Sequence, residues 1–349
     1  MKTKIRNIIS IGFCMFGTLV GAGFASGKEI WSYFAQWGNI SFLNIFLTAV
    51  LFFFCSLLFF SFGKRFQITT VQKSNLVLYK KFSFLSEIVL ALANILVLSS
   101  MFAGADSLFF SVFPNFPYRI ASVFSAIISI LVVCFGFAGV TKTNGVIVPL
   151  LLTCIGVIFV YKMCDETLVF HIIKSTKTQA GFGLLYAVLF VCSNMFFSGF
   201  IFSKMGTNHT KKELIWGGIL GSSLLLLSLI SITYLLLLCP ESASYDMPIV
   251  FLGASLSKPF GFFVLFVVWL GLLSTAFALL FTITNWLKEY IKSTFVCSLI
   301  SSSFALLLSG IGFSSFVTIV YPTMGVLGLF CVIATTVACF KNHKKLKQK

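Results

Sequence analysis

Long apolar stretches separated by short polar links dominate the chain. A helix needs about 20 apolar residues to cross a hydrocarbon core about 30 Å thick, and ten stretches are long enough. A further stretch over 247–256 is too short to cross and contains or follows two prolines, so it predicts a re-entrant or surface helix. The predicted membrane-spanning segments are 8–37, 40–62, 83–112, 119–140, 144–162, 180–203, 214–239, 257–287, 293–311 and 314–340.

The composition excludes several classes of protein. Apolar residues make up 58% of the 349 residues and charged residues only 10%. A soluble protein of this size needs more polar cover, so a soluble enzyme, a disordered chain and a secreted disulfide scaffold are disfavoured. The motifs of zinc proteases, P-loop proteins and serine hydrolases are absent, and we expect no enzyme activity and no cofactor. The expected contacts are membrane lipid and a small solute.

The net charge of +16 predicts an orientation in the membrane rather than a nucleic-acid partner. Most of the 25 Lys and Arg residues fall on one side when both termini are placed in the cytoplasm, and the basic link 63–82 lies on that side. An even number of spans follows. Ten cysteines are scattered without a CxxC pair. Only Cys164 and Cys239 lie near predicted outer loops, and whether they pair stays open.

The first predicted span contains four glycines between Gly17 and Gly27. Each glycine weakens a helix by about 1 kcal/mol relative to alanine, although the spacing of these glycines also suits close helix packing. The sixth span is interrupted by Ser193-Asn194 and by Ser198-Gly199, which an ordinary helix with polar interhelical contacts would also explain. Interruptions in matching spans of two inverted halves are typical of transporter sites. The sequence therefore predicts one transmembrane domain, 1–349, with inverted repeats of about 8–162 and 180–340.

Broken helices have a specific chemistry within a membrane. Freed carbonyl groups can hold a cation, and the N–H groups at the start of a half-helix can hold a carboxylate. Such a site suits an amino acid or similar zwitterion that enters with Na⁺ or H⁺.

The stretch GTLVGAGFASGKEI, residues 17–30, resembles the first-span signature of the YkvI-type bacterial membrane proteins. These belong to the amino acid–polyamine–organocation superfamily with the LeuT fold. The resemblance implies an all-α polytopic protein of ten helices in two inverted five-helix repeats, with helices 1 and 6 discontinuous. It also implies a secondary active symporter that works by alternating access in the bacterial cytoplasmic membrane. Lys28 departs from the pattern, in which Gln is commoner.

The resemblance implies two sets of site residues. A Na⁺ ion would be held by backbone carbonyls of Gly17, Val20 and Gly271 and by the hydroxyl groups of Ser274 and Thr275. The alternative is that these hydroxyl groups bond carbonyls of their own helix. The substrate carboxylate would lie on the N–H groups of Ala22 and Gly23. The complete predicted substrate site is Gly21, Ala22, Gly23, Ser193, Asn194 and Phe196.

Other readings stay open. The same fold could serve a ligand-sensing membrane subunit, similar to spore germinant-receptor subunits, which binds a solute without moving it. Asp106 in the third span is either a functional acid or an interface residue. Lys28 and Glu29 either line an outer vestibule or pair with each other.

Overall fold

The computed structural model is all-helical over residues 2–19, 22–115, 117, 119–135, 137–165 and 180–347, which are the residues that the structure describes. Short 3₁₀ turns at 35–37, 80–82, 240–244 and 309–311 connect the helices, and a π-helical turn occupies Phe316–Val320. The α-helices are α1 Lys2–Leu19, α2 Ala22–Ser26, α3 Lys28–Tyr33, α4 Ile40–Phe66, α5 Val71–Tyr79, α6 Ser83–Val112, α7 Ile120–Cys134, α8 Phe137–Asp165, α9 Ala180–Asn208, α10 Lys211–Leu238, α11 Pro248–Leu256, α12 Lys258–Leu287, α13 Thr294–Leu308, α14 Phe313–Ser315 and α15 Tyr321–Lys347.

Seven helical stretches of the described chain are long and apolar enough to cross a membrane. They include α4, α6, α9, α10, α12 and α13, and the stretch from α14 through α15. Two shorter apolar helices cover 120–134 and 149–164. Large apolar side chains are exposed along the outside of the bundle, as a lipid-facing surface requires. The short helix predicted at 247–256 is present as α11.

The first predicted span is discontinuous at Gly27, and this is the break in the first span. Helix α1 covers Lys2–Leu19 and α2 covers Ala22–Ser26, and residues 20 and 21 lie outside the described residues. Gly27 has a φ of 82°, in the left-handed region that favours glycine. Helix α3 then begins at Lys28.

The sixth predicted span is not discontinuous, and that prediction was wrong. Helix α9 runs without a break from Ala180 to Asn208. Its polar side chains bond the helix instead of breaking it: Ser193 Oγ and Asn194 Nδ2 both donate to the Phe190 carbonyl, at 2.9 and 2.8 Å. Gly199 serves packing, because a methyl group there would lie 2.5 Å from Phe59 Cε1 on α4. Local bonding and close packing explain the motif without a break.

The fourth and fifth spans begin and end at other residues than predicted. Helix α7 ends at Cys134 and α8 begins at Phe137, whereas the apolar pattern placed this boundary near residue 142. The apolar run continues through the connection, so hydropathy could not locate it. The polar link 63–82 also contains a helix, α5, whose N-terminus is capped by Thr70 Oγ1 accepting from Lys73 N at 3.2 Å. Cys164 and Cys239 do not form a disulfide.

Two helix pairs with close backbone approach hold the centre of the bundle. Helix α1 packs on α10, where Gly217 faces Ile11, and α4 packs on α9, where Gly63 and Gly206 face the partner backbone. Helix α15 packs on α9 and also contacts α4, and α6 packs on α12. These contacts place α1, α6, α9, α12 and α15 around a common interior.

Candidate functional site

A cavity of about 230 Å³ lies between these five helices, beside the break in the first span. The long α1 helix ends at it, and α15 begins at it, directly after the π-helical turn. Irregular helical turns of this kind frequently mark functional sites. Apolar side chains cover most of the wall, and hydroxyl, amide and carboxyl groups interrupt it at a few positions. This mixture is typical of small-molecule sites.

Six of the eleven predicted site residues line this one cavity. Three come from α9, two from α12 and one from α1, so the fold brings together segments that are far apart in the chain. They are Gly17, Ser193, Asn194, Phe196, Ser274 and Thr275.

The other five predicted residues are placed differently. Val20 and Gly21 lie outside the described residues. Ala22 and Gly23 belong to the five-residue helix α2. Gly271 faces away, and a methyl group on it would lie 3.5 Å from Leu151 and 3.6 Å from Ala25. Its role is close packing of α12 on α2 and α8.

The hydroxyl groups on α12 partly follow the alternative interpretation, in which they bond carbonyls of their own helix. Thr275 Oγ1 donates to the Gly271 carbonyl at 3.3 Å, a long hydrogen bond within the helix. Ser274 is buried, yet it lines the cavity together with Thr275 and Gly17. These oxygen atoms are hard ligands of the kind that alkali cations prefer. Among the described residues, no cluster of His, Cys, Asp or Glu could hold a transition metal.

Glu29 is the one charged side chain among the described residues that line the cavity. It is 7% exposed. Its Oε2 atom lies against Gly23, because a methyl group on Gly23 would be 2.5 Å from that oxygen. The carboxylate therefore points back toward the break in the first span. Sequence reasoning considered Glu29 only for an outer vestibule or for a pair with Lys28, and neither describes its position.

Lys28 points to a different part of the molecule. Its Nζ atom donates to the carbonyl oxygens of Ala243 and Tyr245, both at 3.0 Å, in the connection between α10 and α11. Adjacent residues of α3 therefore have different roles, since Lys28 bonds the connection between α10 and α11 and Glu29 lines the cavity.

Tyr321 is a second site residue that the sequence analysis did not identify. It lines the cavity at the start of α15, and its hydroxyl group lies 3.0 Å from Ser100 Oγ on α6. A methyl group on Gly23 would lie 3.0 Å from its ring, so Tyr321 and Glu29 meet at the same glycine. The signal in the sequence was a tyrosine directly before Pro322 in an otherwise apolar span.

The cavity continues toward the side of the molecule that carries α5. A second cavity of about 290 Å³ is lined by α5 and the first turns of α6. The two cavities share Val71, Leu90, Phe196 and Phe200 as lining residues. The two cavities therefore meet on the side of the molecule that carries α5.

Asp106 has a structural role. Its Oδ1 atom accepts from the backbone N–H of Ser122 at 2.9 Å, in the first turn of α7. A carboxylate in this position caps the helix and complements its dipole. Asp106 is not among the residues that line the cavity, and its carboxylate makes this structural contact.

Comparison with known proteins gives relatives of one architectural type. No protein-family model matches the chain. The chain is 23% identical over 340 residues to the uncharacterized membrane protein YkvI of Bacillus subtilis (strain 168), covering 94% of this chain and 95% of that protein. The inward-facing structure of Mhp1 matches with a TM-score of 0.68 at 16% identity, over 94% of this chain and 75% of that one. MhsT in complex with L-phenylalanine matches with a TM-score of 0.65 at 14% identity, over 95% and 87%.

These matches confirm the fold. Mhp1 is a transporter of the nucleobase-cation-symport-1 family, and it matches in both its closed and its inward-facing structures. At 14–16% identity the likeness establishes the LeuT-type helical architecture of a multi-pass membrane protein. The similarity to YkvI extends over nearly the whole of both chains.

Proposed function

We propose that this protein is a secondary active transporter that moves a small solute by alternating access. The observation that carries the proposal is the cavity beside the break in the first span, which collects residues from α1, α9 and α12. Its fold relatives Mhp1 and MhsT are consistent with this function.

Alternating access requires two groups of helices that can move against each other around the site. The helix contacts support the proposed inverted repeats, because α1 packs on α10 and α4 packs on α9. In a ten-span arrangement these are spans one with seven and two with six, which exchange under the proposed symmetry. We further propose that both termini are cytoplasmic and that the protein resides in a bacterial cytoplasmic membrane. On that orientation the cavity faces the cytoplasm.

The proposed solute is an amino acid or similar small zwitterion, and the proposed coupling ion is Na⁺ or H⁺. The volume of about 230 Å³ suits a molecule of this size. Gly17 on α1 faces the cavity together with Ser274 and Thr275 on α12, so backbone and hydroxyl oxygens from two helices surround one space. Because none of these groups carries a charge, they favour a weakly held monovalent ion.

The test is uptake into proteoliposomes that contain the purified protein. A panel of radiolabelled amino acids is offered under an inward Na⁺ gradient, an inward H⁺ gradient, or neither. Coupled transport predicts accumulation above the external concentration under one gradient only. Binding without net flux would identify a ligand sensor instead, and uptake that ignores both gradients would contradict coupling.

The ion site has its own variant. Replacing both hydroxyl residues, with Ser274→Ala and Thr275→Ala, should reduce the apparent affinity for the coupling ion at least tenfold, because two of the proposed ligands are lost. Ser231→Ala on α10 is the matched control, since that hydroxyl bonds the Leu227 carbonyl outside the cavity. Unchanged ion dependence in the double variant would remove both residues from the site.

A further inference from the structure

The cavity contains a buried carboxyl group without a basic neighbour. Glu29 is nearly fully buried, and none of the described residues that line the cavity is basic. The ammonium group of the neighbouring Lys28 is bound to two backbone carbonyls of the connection between α10 and α11. A buried carboxylate is unfavourable without a cationic partner, so the ionised form of Glu29 is stabilised when a positive group enters the cavity.

The position of the carboxylate determines which end of a zwitterion can approach it. Glu29 Oε2 lies against Gly23, where the sequence analysis placed the carboxylate of the substrate. A substrate carboxylate at that point would oppose the ionisation of Glu29 at short range in a medium of low dielectric constant. An ammonium group there would stabilise the carboxylate form of Glu29 and bind to it.

The continuous sixth span strengthens this conclusion. An ammonium group needs several hydrogen-bond acceptors, and a broken α9 would have supplied backbone carbonyls. In the structure α9 is unbroken, and its cavity-lining Ser193 and Asn194 both donate to Phe190 O. Glu29 provides two strong acceptor oxygens in their place, close to the ring of Tyr321.

We propose that Glu29 binds the ammonium group of the transported solute, so that the solute lies with its cationic end at the break in the first span. The substrate class is then small primary amines and amino acids with a free ammonium group. A carboxylate on the solute is tolerated and is not what the site recognises. This inference rests on the proposed function only in that the solute is transported. Binding of the ammonium group by Glu29 can be measured separately.

The test uses ligands that differ only in their charged groups. For leucine the set is leucine itself, 3-methylbutylamine without the carboxylate, 4-methylpentanoate without the ammonium, and N-acetylleucine. Equivalent sets for alanine and phenylalanine cover smaller and larger side chains. Binding to the purified protein is measured by thermal shift in detergent and then by titration calorimetry. The expected result is stabilisation by amino acids and amines of at least one set, and none by the deaminated or acetylated compounds.

The protein variant is Glu29→Gln, which keeps the shape and removes the charge. We expect it to weaken amine binding at least tenfold, while Glu29→Asp retains part of the affinity. Glu241→Gln, an exposed carboxylate outside the cavity, is the matched control and should bind as the unmodified protein does. Gel filtration and circular dichroism establish that each variant is folded.

Several outcomes would overturn the proposal. These are binding of 4-methylpentanoate without binding of the amine, equal amine affinity in folded Glu29→Gln, or no binding by any amine of the three sets. Amine binding unchanged in Glu29→Gln together with loss of H⁺-driven uptake would make Glu29 a proton site instead. Glu29-dependent binding without flux would contradict only the transport function, and flux that is insensitive to Glu29→Gln would contradict only this inference.

Discussion

Gly63 on α4 lies directly against the backbone of α9, and its replacement by alanine tests the packing that positions the site. A methyl group on Gly63 would lie 1.7 Å from the Ser203 carbonyl oxygen, half of the 3.4 Å at which ordinary van der Waals contact begins. The contact is reciprocal, because a methyl group on Gly206 of α9 would lie 2.1 Å from the Phe60 carbonyl oxygen of α4. Backbone atoms on both sides leave no side chain that could rotate away.

The magnitude follows from this geometry. Overpacking a well-packed interior costs about 1–3 kcal/mol and occasionally more. A clash with backbone belongs at the upper end, about 3 kcal/mol, and the better helix propensity of alanine offsets about 1 kcal/mol of it. A net loss of about 2 kcal/mol lowers Tm by roughly 3 °C in a chain of this size. Helix α9 must also shift, and with it Ser193 and Phe196 in the cavity.

The assay is thermal unfolding of the purified protein in detergent, followed by gel-filtration recovery after heating. Gly156→Ala is the matched control, because nothing lies within 4 Å of a methyl group at that position of α8. It should unfold at the same temperature as the unmodified protein or slightly higher. If Gly63→Ala unfolds within 1 °C of Gly156→Ala, about the resolution of the assay, the close approach of α4 and α9 is wrong.

Two further predictions concern polar contacts at the ends of helices. Asp106→Ala removes the acceptor for Ser122 N–H and should destabilise the fold by about 1 kcal/mol, as loss of a helix cap does; an unchanged Tm would exclude the capping role. Lys28→Met removes both hydrogen bonds to the connection between α10 and α11, at Ala243 and Tyr245. A cysteine introduced at Ser244 should then react severalfold faster with a water-soluble maleimide, and equal rates would show that Lys28 does not hold this segment.

The apolar pattern by itself determined the class of protein and the approximate position of most helices. Hydrophobic stretches of membrane-spanning length have one stable solution in lipid, because only helices satisfy their own backbone there. The glycine-rich stretch from Gly17 to Gly27 also determined its own break, since backbone freedom is a local property. Local information was sufficient for both conclusions.

The sixth span shows where local information ended. The same residues, Ser193, Asn194, Ser198 and Gly199, are compatible with a broken helix or with a continuous one. Packing decided between these forms, because Gly199 accommodates Phe59 of α4 and the polar side chains bond within the helix. The sequence of α9 alone does not specify the surface of α4, against which α9 packs.

The charge at the site depended on tertiary structure even more strongly. Lys28 and Glu29 are neighbours in sequence, where an ion pair is a natural reading. After the left-handed turn at Gly27, the lysine side chain reaches the connection between α10 and α11, and the carboxylate lies against Gly23 at the cavity. The sequence determined that a charged pair follows the break. Only the folded arrangement of distant segments decided which charge faces the cavity, because side-chain direction depends on backbone turns and on partners that are far away in the chain.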